Sequence, residues 1–233
     1  VDPDRYRASL LGESKTRVRL QVLYGFHYEL AKVPELISEP MMGAIRYQWW
    51  RDTVDDIYTG KPVRRHEVTT PLSEVLKRHD IPRFYVDQLI DGRERDIDPR
   101  SFESLQTAQD YAATTSGTLA RLSALIAASQ DADQAAKLGV VWGLTGLVRG
   151  WDFYQDTVLK EISREALIES AHQSYDAAKG KVSPDLMPAI AYAALIPGFL
   201  RHHAAKKLSA PPKPYGQLSK QTKLLGAVMR GRV

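Results

Sequence analysis

Ser14-Lys15-Thr16-Arg17-Val18-Arg19-Leu20-Gln21-Val22-Leu23-Tyr24-Gly25-Phe26-His27-Tyr28-Glu29-Leu30-Ala31-Lys32-Val33-Pro34-Glu35-Leu36-Ile37 decides the fold class. Val18, Leu20, Val22, Leu23, Phe26, Leu30 and Val33 recur at helical spacing, so the segment reads as one long helix with a broad apolar stripe. Pro34 removes a backbone donor and should kink or end that helix nearby. Working outward, the same periodicity predicts helices over 42–58 (stopped by Gly60 and Pro62), 71–79 and 82–95. Asp98-Pro99 opens a turn, and Ser101 with Glu103 reads as a helix start leading into 105–113. The run 117–128 is apolar on every side and belongs in a core, and 134–154 is similar. Gly139, Gly143, Gly146 and Gly150 there admit a neighbouring backbone or a ligand. Helices over 157–179 and 184–202 follow, then a rigid Pro-rich connector over 210–214 and a basic terminal helix over 218–229. Strict alternation is nearly missing, so the chain reads as all-α: a helical domain over 1–209, then the connector and terminal helix over 210–233.

Composition narrows the classes. The 233 residues are 43% apolar, 26% charged and 9% aromatic, which excludes a disordered, collagen-like or disulfide-stapled chain. No apolar run reaches the roughly 18 residues that a membrane-spanning helix needs. With no cysteine, thiolate zinc sites and Cys nucleophiles are removed, and any metal must use oxygen or imidazole ligands. No charged-then-apolar leader stands before Tyr6, and the expectation is that any targeting segment has been removed. The net charge of +4 is unevenly placed: from Arg201 onward there are eight Lys or Arg and no Asp or Glu. Anionic membrane, an acidic protein face and nucleic acid are the partners such a tail fits, against the plainer reading of a solvated helix end.

Three places set carboxylates one helical turn apart, as a hard divalent cation requires: Asp52 with Asp55 and Asp56, Asp91 with Glu94, and Asp152 with Asp156. Trp49, Trp50, Val54, Ile57 and Tyr58 build the buried stripe of the first helix, so its acids read as solvated. Asp91, Arg93, Glu94, Arg95 and Asp96 mix both signs and are expected to pair with each other. Spacing alone leaves Asp152 and Asp156 open. His27, His66, His79, His172, His202 and His203 are scattered, and no phosphate loop, dinucleotide fingerprint or nucleophile elbow occurs.

Specific words go further than periodicity. Leu23-Tyr24-Gly25-Phe26, Gln48-Trp49-Trp50-Arg51-Asp52 through Ile57-Tyr58-Thr59-Gly60, Leu89-Ile90-Asp91-Gly92 with Asp96, Tyr111 through Ser116-Gly117, and Gly139 through Leu144-Thr145-Gly146-Leu147-Val148-Arg149 occur in this order. The chain thereby resembles the squalene/phytoene synthase family, closely over about Asp4 to Arg149 and loosely beyond. The resemblance implies an isoprenoid-synthase-like helical bundle whose cavity joins prenyl diphosphates, with Mg²⁺ held by two aspartate-rich motifs. Clustered metal must neutralise a leaving diphosphate while an allylic cation forms.

Those motifs are not intact. The family's first aspartate pair falls on Ala31 and Lys32, leaving Glu35 near the third acid's place. The second motif, Asn-x-x-Arg-Asp-x-x-x-Asp in the family, falls on Gly146, Arg149, Gly150 and Tyr154. Asp152 and Asp156 keep the spacing but sit two positions late, about 200° round a helix of about 100° per residue. The family's Tyr-Leu-Pro word after Tyr154 is missing: Thr157-Val158-Leu159 leads straight into Lys160-Glu161-Ile162. Tyr28-Glu29-Leu30-Ala31-Lys32-Val33, Arg46-Tyr47-Gln48-Trp49-Trp50 and Lys77-Arg78-His79 resemble the branch of mitochondrial complex I assembly factor 6 and its bacterial relatives.

The resemblance thus implies a non-catalytic scaffold or assembly factor for a respiratory membrane complex, on the matrix side of the mitochondrial inner membrane or the cytoplasmic side of a bacterial one. No catalytic residue, metal or cofactor is expected, and Tyr24, Lys32, Glu35 and Arg149 remain as lining of the former pocket. Lys206, Lys207, Lys213, Lys220, Lys223, Arg230 and Arg232 are expected to dock on respiratory-complex subunits or assembly intermediates and on anionic lipid, helped by Leu218, Leu224, Leu225 and Val228. Nucleic acid is not an expected partner, since only Tyr215 interleaves the tail with an aromatic ring. The alternative is a Mg²⁺-dependent prenyl transferase whose cations sit on Glu29, Glu35, Asp152 and Asp156.

Overall fold

The computed structural model describes residues 2–97, 100–204 and 215–233. Those residues form helices and turns, and their only strand-like pairing is one bridge between Lys181 and Arg232. The connector over 210–214, with Lys206, Lys207, Lys213 and the Asp98-Pro99 turn, lies outside the described residues.

α1 (Pro3–Ser9) is capped by Asp2, whose carboxylate accepts from the backbone N–H of Asp4 and Arg5 at 2.9 and 3.3 Å. α2 (Ser14–Ala31) buries Leu20, Leu23, Phe26 and Leu30. The predicted helix over 14–37 ends early, because at Pro34 the chain tightens into a 3₁₀ turn, Val33–Leu36. Val18 leaves the expected stripe and is 57% exposed. α3 (Pro40–Thr59) stops at Gly60, whose φ of +76° suits a residue without Cβ. α4 (Thr69–Arg78) and α5 (Arg83–Glu94) follow the predicted spans. Ser104 and Thr107, not Ser101 and Glu103, form the capping box of α6 (Leu105–Ala112). A π turn, Ala113–Gly117, joins α6 to α7 (Thr118–Ile126).

α8 (Ala132–Arg149) is the central strut, packed by the π turn, α7 and α6. Its small residues set the spacing: a Cβ on Gly139 would lie 2.5 Å from the Ser116 carbonyl, and one on Gly143 would lie 2.9 Å from Ala112 Cβ. α8 ends at Gly150, and the short α9 (Trp151–Tyr154) follows.

Two predicted long helices are broken. Residues 155–163 turn instead of continuing, burying Leu159 and Ile162 while the Val158 carbonyl accepts from Phe102 N–H at 2.8 Å. Ser163 then caps α10 (Arg164–Ala178). The predicted 184–202 helix divides into a 3₁₀ turn, α11 (Met187–Ile190), a second 3₁₀ turn over Ala191–Leu195 and α12 (Ile196–Ala204). Pro184, Pro188 and Pro197 each lack an N–H, so no regular ladder runs through all of them.

α13 (Gln217–Arg230) packs against the 3₁₀ turn at Ala191–Leu195 and buries Leu224 and Ala227. Lys220 Nζ reaches both oxygens of the fully buried Asp4 at 2.9 Å. Val233 exchanges two 3.1 Å backbone bonds with Gly180.

Candidate functional site

α1, α2, α5, the π turn and α8 enclose a central hollow of about 320 Å³. A neighbouring hollow of about 500 Å³ shares Ala31, Arg93, Tyr111, Leu147 and Tyr154 with it. Gly146 faces the inner hollow, and a Cβ added there would meet nothing within 4 Å. The glycines of α8 therefore do two jobs: Gly139 and Gly143 admit a backbone, while Gly146 keeps space open.

Arg93 stands at the junction of the two hollows. It donates to His27 Nε2 at 3.2 Å from Nε and 2.7 Å from Nη2, and from Nη1 to Asp96 and the Tyr111 hydroxyl, each at 3.0 Å. Tyr111 in turn donates to Asp96 at 2.8 Å. Because a guanidinium cannot accept, His27 Nε2 must be the acceptor, and the ring is neutral with its proton on Nδ1. Burial, reinforced by Arg93, holds the His27 pKa well below its ordinary value. Burial likewise pushes the Tyr111 phenol well above its usual range. The carboxylate, imidazole and phenol here are all engaged by one fixed cation, so none is poised as a free base.

Arg5 enters the same hollow from α1. Its Nη2 donates to Ser116 Oγ at 2.5 Å and its guanidinium lies over the Tyr192 ring, 5.3 Å from the centroid. Asp2 is already used, accepting from Trp142 Nε1 at 2.8 Å as well as capping α1.

The positions onto which the resemblance lays the family's two metal motifs are filled by other residues. Ala31 lines both hollows with a methyl group. Lys32 does not line either: it bonds Glu29 at 2.6 Å in a separate groove formed with Val33, Ile45 and Trp49. Glu35 borders only the outer hollow. Tyr24 and Arg149 do line the inner one, with Arg149 stacked 4.3 Å from the Phe199 centroid. Tyr154 lies over Gly150, where a Cβ would come within 2.6 Å of its Cε2, so the two replacements fit each other. Asp152 and Asp156 are exposed and line neither hollow. Glu29, Glu35, Asp152 and Asp156 therefore do not converge, and among the described residues no group of three or more His, Asp or Glu stands within reach of one metal ion.

The acids of α3 and α5 form surface ion pairs. Asp52 pairs with Arg64 at 3.5 Å, and Asp55 with Arg83 at 3.0 Å. Asp91 and Glu94 do not pair within their own segment as expected; Arg51 of α3 clamps both, at 2.7 and 2.5 Å. Of the tail cations, Lys220 is turned inward, whereas Lys223, Arg230 and Arg232 are exposed. Leu224, expected on the docking face, is buried, while Leu218, Leu225, Val228 and Met229 are exposed.

Sequence reading missed Arg5, His27 and Arg93 as site residues. Their partners lie far along the chain, 111 residues for Arg5 and Ser116 and 66 for Arg93 and His27, and local patterns carry no such signal.

A helical bundle built around a central hollow defines the isoprenoid-synthase class of fold. Two solved structures share it: a dehydrosqualene synthase in complex with ligand (TM-score 0.75, 15% identity, 98% of this chain and 91% of that one) and squalene synthase HpnC from Alicyclobacillus acidocaldarius (TM-score 0.61, 12% identity, 97% and 88%). The squalene/phytoene synthase family matches residues 1–195, and the chain belongs to that family. Its curated relatives include NADH dehydrogenase (ubiquinone) complex I, assembly factor 6 from Bos taurus, 31% identical over 156 residues, and from Homo sapiens, 30% identical over 156. Each alignment covers 66% of this chain and 46% of the relative, so the chain spans about half the length of the curated relatives it matches.

Proposed function

We propose that this protein is a non-catalytic squalene/phytoene synthase relative that serves as a scaffold or assembly factor for a respiratory membrane complex. One observation carries the reading: a fixed arginine occupies the junction of the hollows. Arg93 neutralises Asp96, Ala31 and Gly150 supply no charge, and Lys32 is paired outside. A diphosphate leaving group needs several metal ions held by converging carboxylates, and this arrangement repels rather than gathers divalent cations. The relatives named complex I assembly factor 6 support the choice of partner, namely complex I subunits or assembly intermediates.

The docking face is α13. Leu218, Leu225, Val228 and Met229 point outward beside Lys223, Arg230 and Arg232, and no acid occurs from Tyr215 to Val233. Such a face suits an anionic bilayer surface, with Lys206, Lys207 and Lys213 adding charge. The site of action is then the matrix side of the mitochondrial inner membrane or its bacterial counterpart. No helix of the described residues is long and apolar enough to cross a membrane.

Incubation of pure protein with farnesyl or geranylgeranyl diphosphate and Mg²⁺ tests the central reading. The expected result is no condensed product and no diphosphate release above a protein-free control; turnover by the purified chain overturns it.

A further inference from the structure

A groove of about 330 Å³ outside the hollows, between the end of α2 with its 3₁₀ turn and the first half of α3, leaves apolar surface uncovered. Val33 and Leu36 form one wall, and Ile45, Trp49 and Trp50 form the other. Leu36, Met41, Met42 and Ile45 are 50%, 73%, 47% and 65% exposed. Met41, Ile45 and Trp49 follow one another at intervals of four, so they form one row along α3, and Met41 continues the wall by a turn. Isolated apolar side chains on a surface need no explanation, but a row of them beside a groove marks a place of contact.

The opposite face of α3 fixes this row outward. A Cβ on Gly43 would lie 2.6 Å from Ile97 Cγ2 and 2.9 Å from Ile37 Cδ1. Tyr47 is fully buried, its hydroxyl 2.9 and 2.8 Å from the Leu30 and Arg93 carbonyls. Trp49 is held edge-on to Trp50, with ring centroids 4.9 Å apart, and carries the Arg64 guanidinium 5.8 Å from its centroid. Rotating α3 to bury the row would break all of these contacts, so the surface is preformed.

Charge and shape select the occupant. Of the charged groups lining the groove, Glu29 and Lys32 neutralise each other at 2.6 Å. Arg46 is exposed and, among the described residues, makes no ion pair or hydrogen bond. Glu35 and Glu39, the next acids along the chain, do not line the groove. One cation is therefore left over beside an apolar floor, and it calls for a carboxylate. A second copy of the chain would bring the same cation and the same concave surface. A bilayer suits a convex apolar tip ringed by several cations, not two walls with one free arginine. The row from Met41 to Trp49 is roughly 12 Å long at 1.5 Å per residue, which two to three turns of another helix cover.

We propose that this groove docks an amphipathic helix of a partner protein, its apolar face lying along Met41, Ile45 and Trp49 and a carboxylate on its flank pairing with Arg46. The proposal stands apart from the reading of the hollows and from the lipid contact of α13.

Selection on the whole chain from a display library tests it, using helical peptides of about sixteen residues with apolar residues fixed one turn apart on one face and every other position randomised. Enriched peptides are expected to carry Asp or Glu beside the apolar face. Ile45→Glu should weaken them about tenfold or more. Arg46→Glu should weaken them several-fold, and exchanging the peptide's acid for Lys should restore binding to that variant. Both side chains are exposed, so both variants should keep the parent's melting temperature; if Ile45→Glu does not fold, Ile45→Ala takes its place. Enrichment of no peptide, binding unchanged in the Ile45 variant, or failure of the charge exchange overturns the proposal. So does either rival occupant: self-association of the parent that Ile45→Glu abolishes, or binding to phosphatidylglycerol vesicles that Ile45→Glu abolishes.

Discussion

The inner hollow and the terminal helix are both cationic, yet their charges work in opposite ways. In the hollow, Arg93 is enclosed by His27, Asp96 and Tyr111, and its guanidinium fork organises three elements of the bundle. On α13, Lys223 and Arg230 face water, where a charge contributes little to stability but remains available to a partner. Lys220 shows both regimes on one helix: three residues before Lys223, it turns inward onto Asp4. Burial, not residue type, decides whether a cation builds the fold or meets something outside it.

The contrast can be broken most severely at Arg93. Arg93→Met leaves the half-buried His27 and Tyr111 without their donor and Asp96 with Tyr111 alone, and should cost roughly 2–4 kcal/mol, seen as a lower urea midpoint. Arg93→Lys keeps the charge but not the fork, and should recover only part of that loss. Lys220→Met comes next, at roughly 2 kcal/mol, because Asp4 keeps Arg7 at 2.9 Å but loses its second cation.

Gly150→Asp, which restores a family aspartate, forces its Cβ against Tyr154 and should destabilise by about 1–3 kcal/mol. Adding Tyr154→Asp should return much of that loss, so a double-mutant cycle should show coupling of at least about 0.5 kcal/mol. Additive losses would mean that the ring and the glycine are not matched.

Acidity probes His27 in the hollow. The His27 pKa is lowered by folding, so the unfolded chain binds more protons in acid, and stability rises with pH through the ordinary histidine range. His27 therefore destabilises the fold progressively as pH falls below about 6.5. His27→Gln, whose carbonyl can still accept from Arg93, should flatten melting temperature against pH between about 5 and 7 relative to the parent. His79, also lowered by burial, contributes a residual slope in both proteins.

The smallest stability effect belongs to the outer cations. Lys223→Glu with Arg230→Glu should change folding stability by less than about 0.5 kcal/mol per site. The same pair should abolish cosedimentation with phosphatidylglycerol vesicles if α13 is the lipid-facing element. Retained binding at low salt would move the docking surface elsewhere.

The helical core was legible because burial repeats at a fixed period. Leu20, Leu23, Phe26 and Leu30, like Trp50, Val54 and Ile57, could be placed on one face each from spacing alone. Val18 failed that reading because a stripe states which face is apolar, not how far the neighbouring helix extends to cover it. The broken helices at 155–163 and 184–195 failed for a related reason: contacts such as Phe102 N–H to the Val158 carbonyl compensate for the lost ladder. Replacement of the acids at 31, 32, 150 and 154 was readable residue by residue, but what fills their space was not.

The amino-acid order by itself determined a helical member of the squalene/phytoene synthase family, since periodicity and short words are local properties. Only the tertiary structure decided that Lys32 leaves the hollow, that Lys220 is internal, and that Arg93 takes the centre with His27 neutral beside it. Each of those outcomes depends on desolvation and on a partner brought in from elsewhere in the chain, and neither is a property of any single segment.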